Sequence, residues 1–186
     1  MAPVSDKVAT LDDLARVEGK AELIGGRIIP IIPTGRRPNL VAGRIDRSLA
    51  EFADGLGEGE VDSDNMGFAV RELASGRQSF SPDVSYYVGL FPPNAMRFID
   101  GPPTFAVEVR SESDYGPTAE ALLAAKRADY FEAGTLVVWD VDIQAQVIRS
   151  YSATAPDQPL GFTPGQLAHA EPTVPGWNLA VARVFL

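Results

Sequence analysis

Among 186 residues, three positions in order, Asp83, Glu108 and Lys126, hold side chains suited to phosphoryl chemistry. Two carboxylates at adjacent strand ends offer hard oxygen ligands of the kind Mg2+ takes, with water filling its remaining positions. A cation held there lowers the pKa of an attacking water and stabilises charge on a scissile phosphate. Asp83 follows Pro82 at the start of the apolar and aromatic run Val84-Ser85-Tyr86-Tyr87-Val88. Alone, capping or solvating a strand end is its plainer reading. Glu108 lies in Thr104-Phe105-Ala106-Val107-Glu108-Val109-Arg110, where alternation sends Phe105, Val107 and Val109 to one face and Ala106, Glu108 and Arg110 to the other. That second face meets solvent, pairs Glu with Arg, or supports a polar site. Lys126 supplies the positive end if its helix packs back over the strand.

Other residue types narrow the chemistry. With no cysteine in the chain, disulfides, thiolate ligands and thiol catalysis are excluded. Ser111 and Ser113 lack a nucleophile-elbow context, and the one histidine, His169, is far along the chain, so both serines read as turn or capping residues. The basic residues Arg36, Arg37, Arg44 and Arg47 cluster around a helix and offer phosphate contacts that position a backbone without reading sequence. A solvated helix face is the plainer reading of the same cluster. The net charge of −9 repels a polyanion globally, so nucleic-acid binding would rely on a local basic rim or a divalent cation.

The elements that must position these groups follow from periodicity. Thr10 with Asp13 forms a helix start, and Gly25-Gly26 turns two short strands, Glu22–Ile24 and Arg27–Ile29. Pro30 to Pro38 reads as a connector, and Asn39 to Phe52 as a helix with Val41, Ile45, Leu49 and Phe52 inward. Strands follow around Met66–Val70 and Phe80–Val88. The long connector from Gly89 to Pro103 carries Met96, Phe98 and Ile99, which either pin it to the body or form a partner surface, a homodimer being one such use. Strand Thr104–Val109, a helix from Pro117 to Phe131 ended by Gly134, and strand Leu136–Trp139 form a strand–helix–strand unit. Gln146–Tyr151 adds a strand, Ser152 to Pro164 reads as loop, and Trp177 to Phe185 as an edge strand or short closing helix. The order predicts one α/β domain over residues 1–186, a central mixed sheet flanked by helices, with 1–9 a flexible N-terminal segment. The apolar runs are too short for a membrane span, and the start lacks a signal-like apolar region, so a cytoplasmic protein is expected.

Glu22-Leu23-Ile24-x-Gly26, Ser81-Pro82-Asp83-Val84, Val107-Glu108-Val109-x-Ser111-x-Ser113, Lys126 with Tyr130, and Val138-Trp139-x-Val141-Asp142 occur in that order. Together they resemble the bacterial restriction-endonuclease-like family of the Uma-two type, within the PD-(D/E)xK nuclease superfamily. The resemblance implies a restriction-endonuclease-like fold and a Mg2+-dependent endonuclease (Mn2+ as substitute) acting on DNA. It implies a metal site at Asp83 and Glu108, Glu22 as a contributor, and Lys126 as a catalytic lysine displaced onto the helix. The commoner lysine position holds Arg110, always cationic and a poor base, assigned to phosphate binding or structure. The chain departs from its relatives at Asn39, where many have histidine, and at Glu112 in the exit loop. A catalytically weak or inactive nuclease-like binding or assembly module is the alternative, and hydrolysis of a small phosphorylated ligand a third reading.

Overall fold

A computed structural model describes residues 8–186. Of the N-terminal segment expected to be flexible, residues 1–7 lie outside the described residues, and the Ala9 N–H donates to Gly26 O at 2.8 Å.

The first element among the described residues is a single helical turn, α1 (Leu11–Leu14), with a reciprocal Thr10–Asp13 capping box at its start. The hairpin β1 (Ala21–Ile24) and β2 (Arg27–Pro30) turns on Gly25 and Gly26, both at positive φ, which a tight two-residue turn requires. Helix α2 (Arg36–Leu56) begins three residues before the expected position. Pro38 does not stop it, because the N–H groups of a first turn have no intrahelical acceptor to lose.

The body is a six-stranded mixed sheet of β3 (Glu60–Ser63), β6 (Val84–Tyr87), β8 (Phe105–Val109), β9 (Val137–Asp142), β10 (Val147–Ser152) and β11 (Ala155–Phe162), in spatial order β11-β10-β9-β8-β6-β3. Three further short strands, β4 (Phe68–Ala69), β5 (Ser79–Phe80) and β7 (Ile99–Asp100), form a separate small sheet. Only β8 and β9 pair parallel within the large sheet, joined by α3 (Pro117–Ala133), as the strand–helix–strand pattern predicts. The C-terminal part adds the pair β12 (Leu167–His169) and β13 (Asn178–Ala180), then the turn of helix α4 (Val181–Val184), so the closing segment is both strand and helix.

Ser152 to Pro164 differs from the loop expected there. It holds β11, an exposed edge strand carrying Pro156 and Pro159. Edge positions tolerate missing N–H groups, so the prolines that argue against a strand mark an edge.

Alternation sorts the sheet into two faces. On one, Val84, Phe105, Val107, Trp139 and Val141 pack against Val41, Ile45 and Leu49 of α2 and against Trp177 and Val181 of the C-terminal segment. Trp139 and Trp177 stack there with ring centroids 5.0 Å apart. On the other, Tyr87, Ala106 and Val138 meet Phe68, Phe80 and Tyr130. Burying these side chains stabilises each layer by roughly 25 cal/mol per Å² of apolar area removed from water. Helix α3 covers the second face with charge as well as apolar surface: its buried residues are Asp129 and Tyr130. Such a helix needs countercharges on the sheet, and these mark the site. Among the described residues no helix is long and apolar enough to cross a membrane.

Candidate active site

Asp83 and Glu108 meet because β6 and β8 run antiparallel. Val84 pairs with Val107 and Ser85 with Ala106, so Asp83 stands one step beyond, level with Glu108. The Asp83 N–H donates to Val107 O at 3.1 Å, and the Val109 N–H donates to Asp83 Oδ2 at 2.8 Å. The Ser81-Pro82 break between β5 and β6 lets the chain change layers immediately before Asp83. Asp83 and Glu108 keep side-chain exposures of 24% and 18%, enough for solvent to reach them.

Lys126 closes the cluster from α3. Its Nζ lies 2.8 Å from Glu108 Oε1 and 3.1 Å from Glu22 Oε1, and Tyr130, one turn on, donates its hydroxyl to Glu108 Oε1 at 2.6 Å. Tyr130 therefore contacts the carboxylate, while Lys126 lies 5.9 Å from its ring centre. Glu22 arrives from β1, 5% exposed, and also accepts the Ser81 N–H at 3.1 Å. Arg77 holds its other oxygen and, through Nε, Asp129 Oδ2 at 2.8 Å.

These contacts set the protonation states. Burial opposes the charge on Lys126, but Glu108 and Glu22 outweigh it and hold the ammonium well above the ordinary lysine value. Burial opposes the Glu22 carboxylate too, yet Lys126 and Arg77 outweigh it and keep Glu22 below the ordinary range. Glu108 is pushed up by burial, and Asp83 and Glu22 add to this against the opposing pull of Lys126. Tyr130 is pushed far up by burial and by Glu108 and Glu22, so it remains a hydrogen-bond donor.

Two further groups that the sequence reading did not single out join the site. Lys20, just before β1, places Nζ 3.1 Å from Asp83 Oδ1 and 2.5 Å from Asp64 Oδ1. Its spacing from Glu22 puts both side chains on one side of an extended strand, which was the one available signal. Arg77 precedes β5, and nothing near it in the sequence announces two buried carboxylate partners.

Arg110 lies in a separate ionic network. Its guanidinium binds Asp140 through Nε at 2.6 Å and Nη2 at 2.7 Å, and also binds Glu120. Arg110 is 4% exposed, and its donors are taken by these carboxylates. Its pKa is raised, chiefly by the hydrogen bond to Asp140. The arginines Arg36, Arg37, Arg44 and Arg47 belong to α2, which packs on the opposite face of the sheet from α3. Arg44 donates to the carbonyl oxygens of Val184, at 3.0 Å, and Leu186. The other three are exposed. Ser111 is tied into a turn, its N–H and hydroxyl both donating to Asp114 Oδ2 at 2.7 Å.

The family model described as "Putative restriction endonuclease", Uma2, matches residues 8–182. The chain belongs to the Uma2 family. Among solved structures it is similar to one titled a putative nuclease belonging to DUF820, from Anabaena variabilis ATCC 29413. The two share 19% identity and a TM-score of 0.72, over 95% of this chain and 97% of that one, so the α/β fold is common to both. No curated protein matches the chain.

Among the described residues no group of three or more His, Asp, Glu or Cys side chains gathers as a metal cage. Two carboxylates are nevertheless a fitting donor set for Mg2+, which keeps several waters and takes one or two protein carboxylates. Asp83 and Glu108 provide that pair, and Glu22 is engaged by cations and by Ser81.

Proposed function

We propose that this Uma2 protein is a divalent-metal-dependent nuclease that hydrolyses phosphodiester bonds, with DNA as substrate and the cytoplasm as its place of action. One observation carries the reading: Asp83 and Glu108 meet across β6 and β8 with Lys126 seated on Glu108. Asp83 and Glu108 would hold Mg2+ or Mn2+, which supplies a water of lowered pKa and charge stabilisation at the phosphate. Asp83 is aimed by the Val109 N–H, and Glu108 by the Tyr130 hydroxyl. Lys126 keeps its proton, so it acts as a positioned cation toward a phosphate oxygen and the attacking water, not as the base. Glu22, itself fixed by Arg77 and Ser81, positions Lys126.

The test is cleavage of supercoiled DNA, linear duplex, single-stranded DNA and RNA, with and without Mg2+ or Mn2+. The expected result is metal-dependent cleavage of DNA, lost in Asp83→Asn and Glu108→Gln. Each loss should exceed the roughly tenfold to hundredfold cost of removing a metal's outer-shell partner. Cleavage that survives both substitutions sinks the site assignment. A wild-type protein that binds nucleic acid and cuts none of the four identifies a nuclease-like binding module instead.

A further inference from the structure

We propose that Lys20 is an internal counter-ion seated on the cation site, and that a divalent ion binds Asp83 only by displacing the Lys20 ammonium onto Asp64. The inference rests on the reading of Asp83 as a metal ligand and concerns what occupies that ligand beforehand. The Oδ2 atom of Asp83 is fixed by the Val109 N–H at 2.8 Å, so the carboxylate is not free to turn. Its remaining oxygen, Oδ1, is the one a metal needs, and Lys20 Nζ takes that oxygen at 3.1 Å.

The second partner of Lys20 makes the exchange inexpensive. Asp64 Oδ1 holds the same ammonium at 2.5 Å, with the Lys20 side chain 15% and the Asp64 side chain 56% exposed. An ammonium has three donors and no acceptor, so it can leave Asp83 while remaining paired. The charges support this arrangement. Around the site the carboxylates Glu22, Asp83 and Glu108 face the cations Lys20, Lys126 and Arg77, before the outer partners Asp64 and Asp129 are added. A cluster neutralised in this way attracts a divalent ion less than two bare carboxylates do. Lys20 thereby keeps metal affinity low in the free protein.

The experiment is titration of Mn2+ into the full-length protein without nucleic acid, with free Mn2+ read by electron paramagnetic resonance. Lys20→Met is expected to bind Mn2+ about tenfold more tightly than wild type, and Lys20→Arg to bind like wild type. Adding Asp83→Asn to Lys20→Met should erase the gain. Equal or weaker Mn2+ binding by Lys20→Met overturns the proposal. Asp64→Asn gives a second reading if Lys20→Met does not fold: it leaves Lys20 only Asp83 to hold and should weaken Mn2+ binding severalfold. An unchanged affinity there also overturns the counter-ion role. Asp83→Asn alone separates the two ideas. If it leaves Mn2+ binding intact, the metal reading fails; if it abolishes binding while the Lys20 variants behave as wild type, only the counter-ion assignment fails.

Discussion

Glu22 shows what a single buried carboxylate does when each of its oxygens is occupied. Its folded pKa is depressed, so the unfolded chain takes up its proton at higher pH than the folded one. The stabilisation it contributes is complete above the ordinary glutamate value of about 4.3 and is lost as pH falls through the depressed folded value. Glu22→Gln should therefore flatten the acid limb of melting temperature against pH below about 4.3, read by circular dichroism. An unaltered acid limb would contradict this. Arg77 is the harsher position, because removing it takes the guanidinium from two buried carboxylates, Glu22 and Asp129, at once. Arg77→Met is expected to lower unfolding free energy by about 3 kcal/mol in urea titration, with Arg77→Lys intermediate. Asp83, Glu108 and Lys126 were legible in the sequence because strand alternation and motif order single them out. Lys20 and Arg77 were not. Their partners lie 63 residues away for Lys20 to Asp83 and 55 for Arg77 to Glu22, and no local pattern encodes a contact made only when separate strands converge.

At the scale of elements, α3 is the part on which the site depends. Pro117 opens it, and Gly134 ends it at φ +116 with its N–H returning to Tyr130 O at 3.1 Å. That conformation is open to glycine and strained for other residues. Gly134→Ala should cost about 1 kcal/mol by denaturant unfolding and, because the cap is one turn from Tyr130, should also disturb Mn2+ binding. A loss of stability with intact Mn2+ binding would separate the cap from the site. The β8–α3–β9 unit was readable because its apolar runs and its proline and glycine boundaries agree. Helix α2 and strand β11 were misjudged at prolines, which forbid helix and sheet interiors but not a first turn or an edge. Local residue type does not reveal which of these a proline occupies; neighbouring elements decide it.

For the molecule as a whole, the two faces of the sheet carry different work. The α2 face is built on stacked tryptophans, and the α3 face on ion pairs. The exposed Arg36, Arg37 and Arg47 belong to the first layer, away from the acidic cluster. Neutralising Arg47 is therefore expected to change cleavage less than about twofold, the range of exposed substitutions, while Lys126→Met removes it. A large effect of Arg47→Ala in the same assay would return α2 to the substrate path. The expected homodimer calls for a surface, and the connector offers Leu90 and Met96, 90% and 91% exposed, while Ile99 is pinned in the core. The sheet margins offer much less. At one margin β11 has lost two N–H donors to Pro156 and Pro159, and at the other β3 presents Glu60 and is flanked by Asp64. A second copy approaching edge to edge meets missing donors on one side and its own negative charge on the other. The large sheet is thus guarded at both margins against open-ended growth by strand addition.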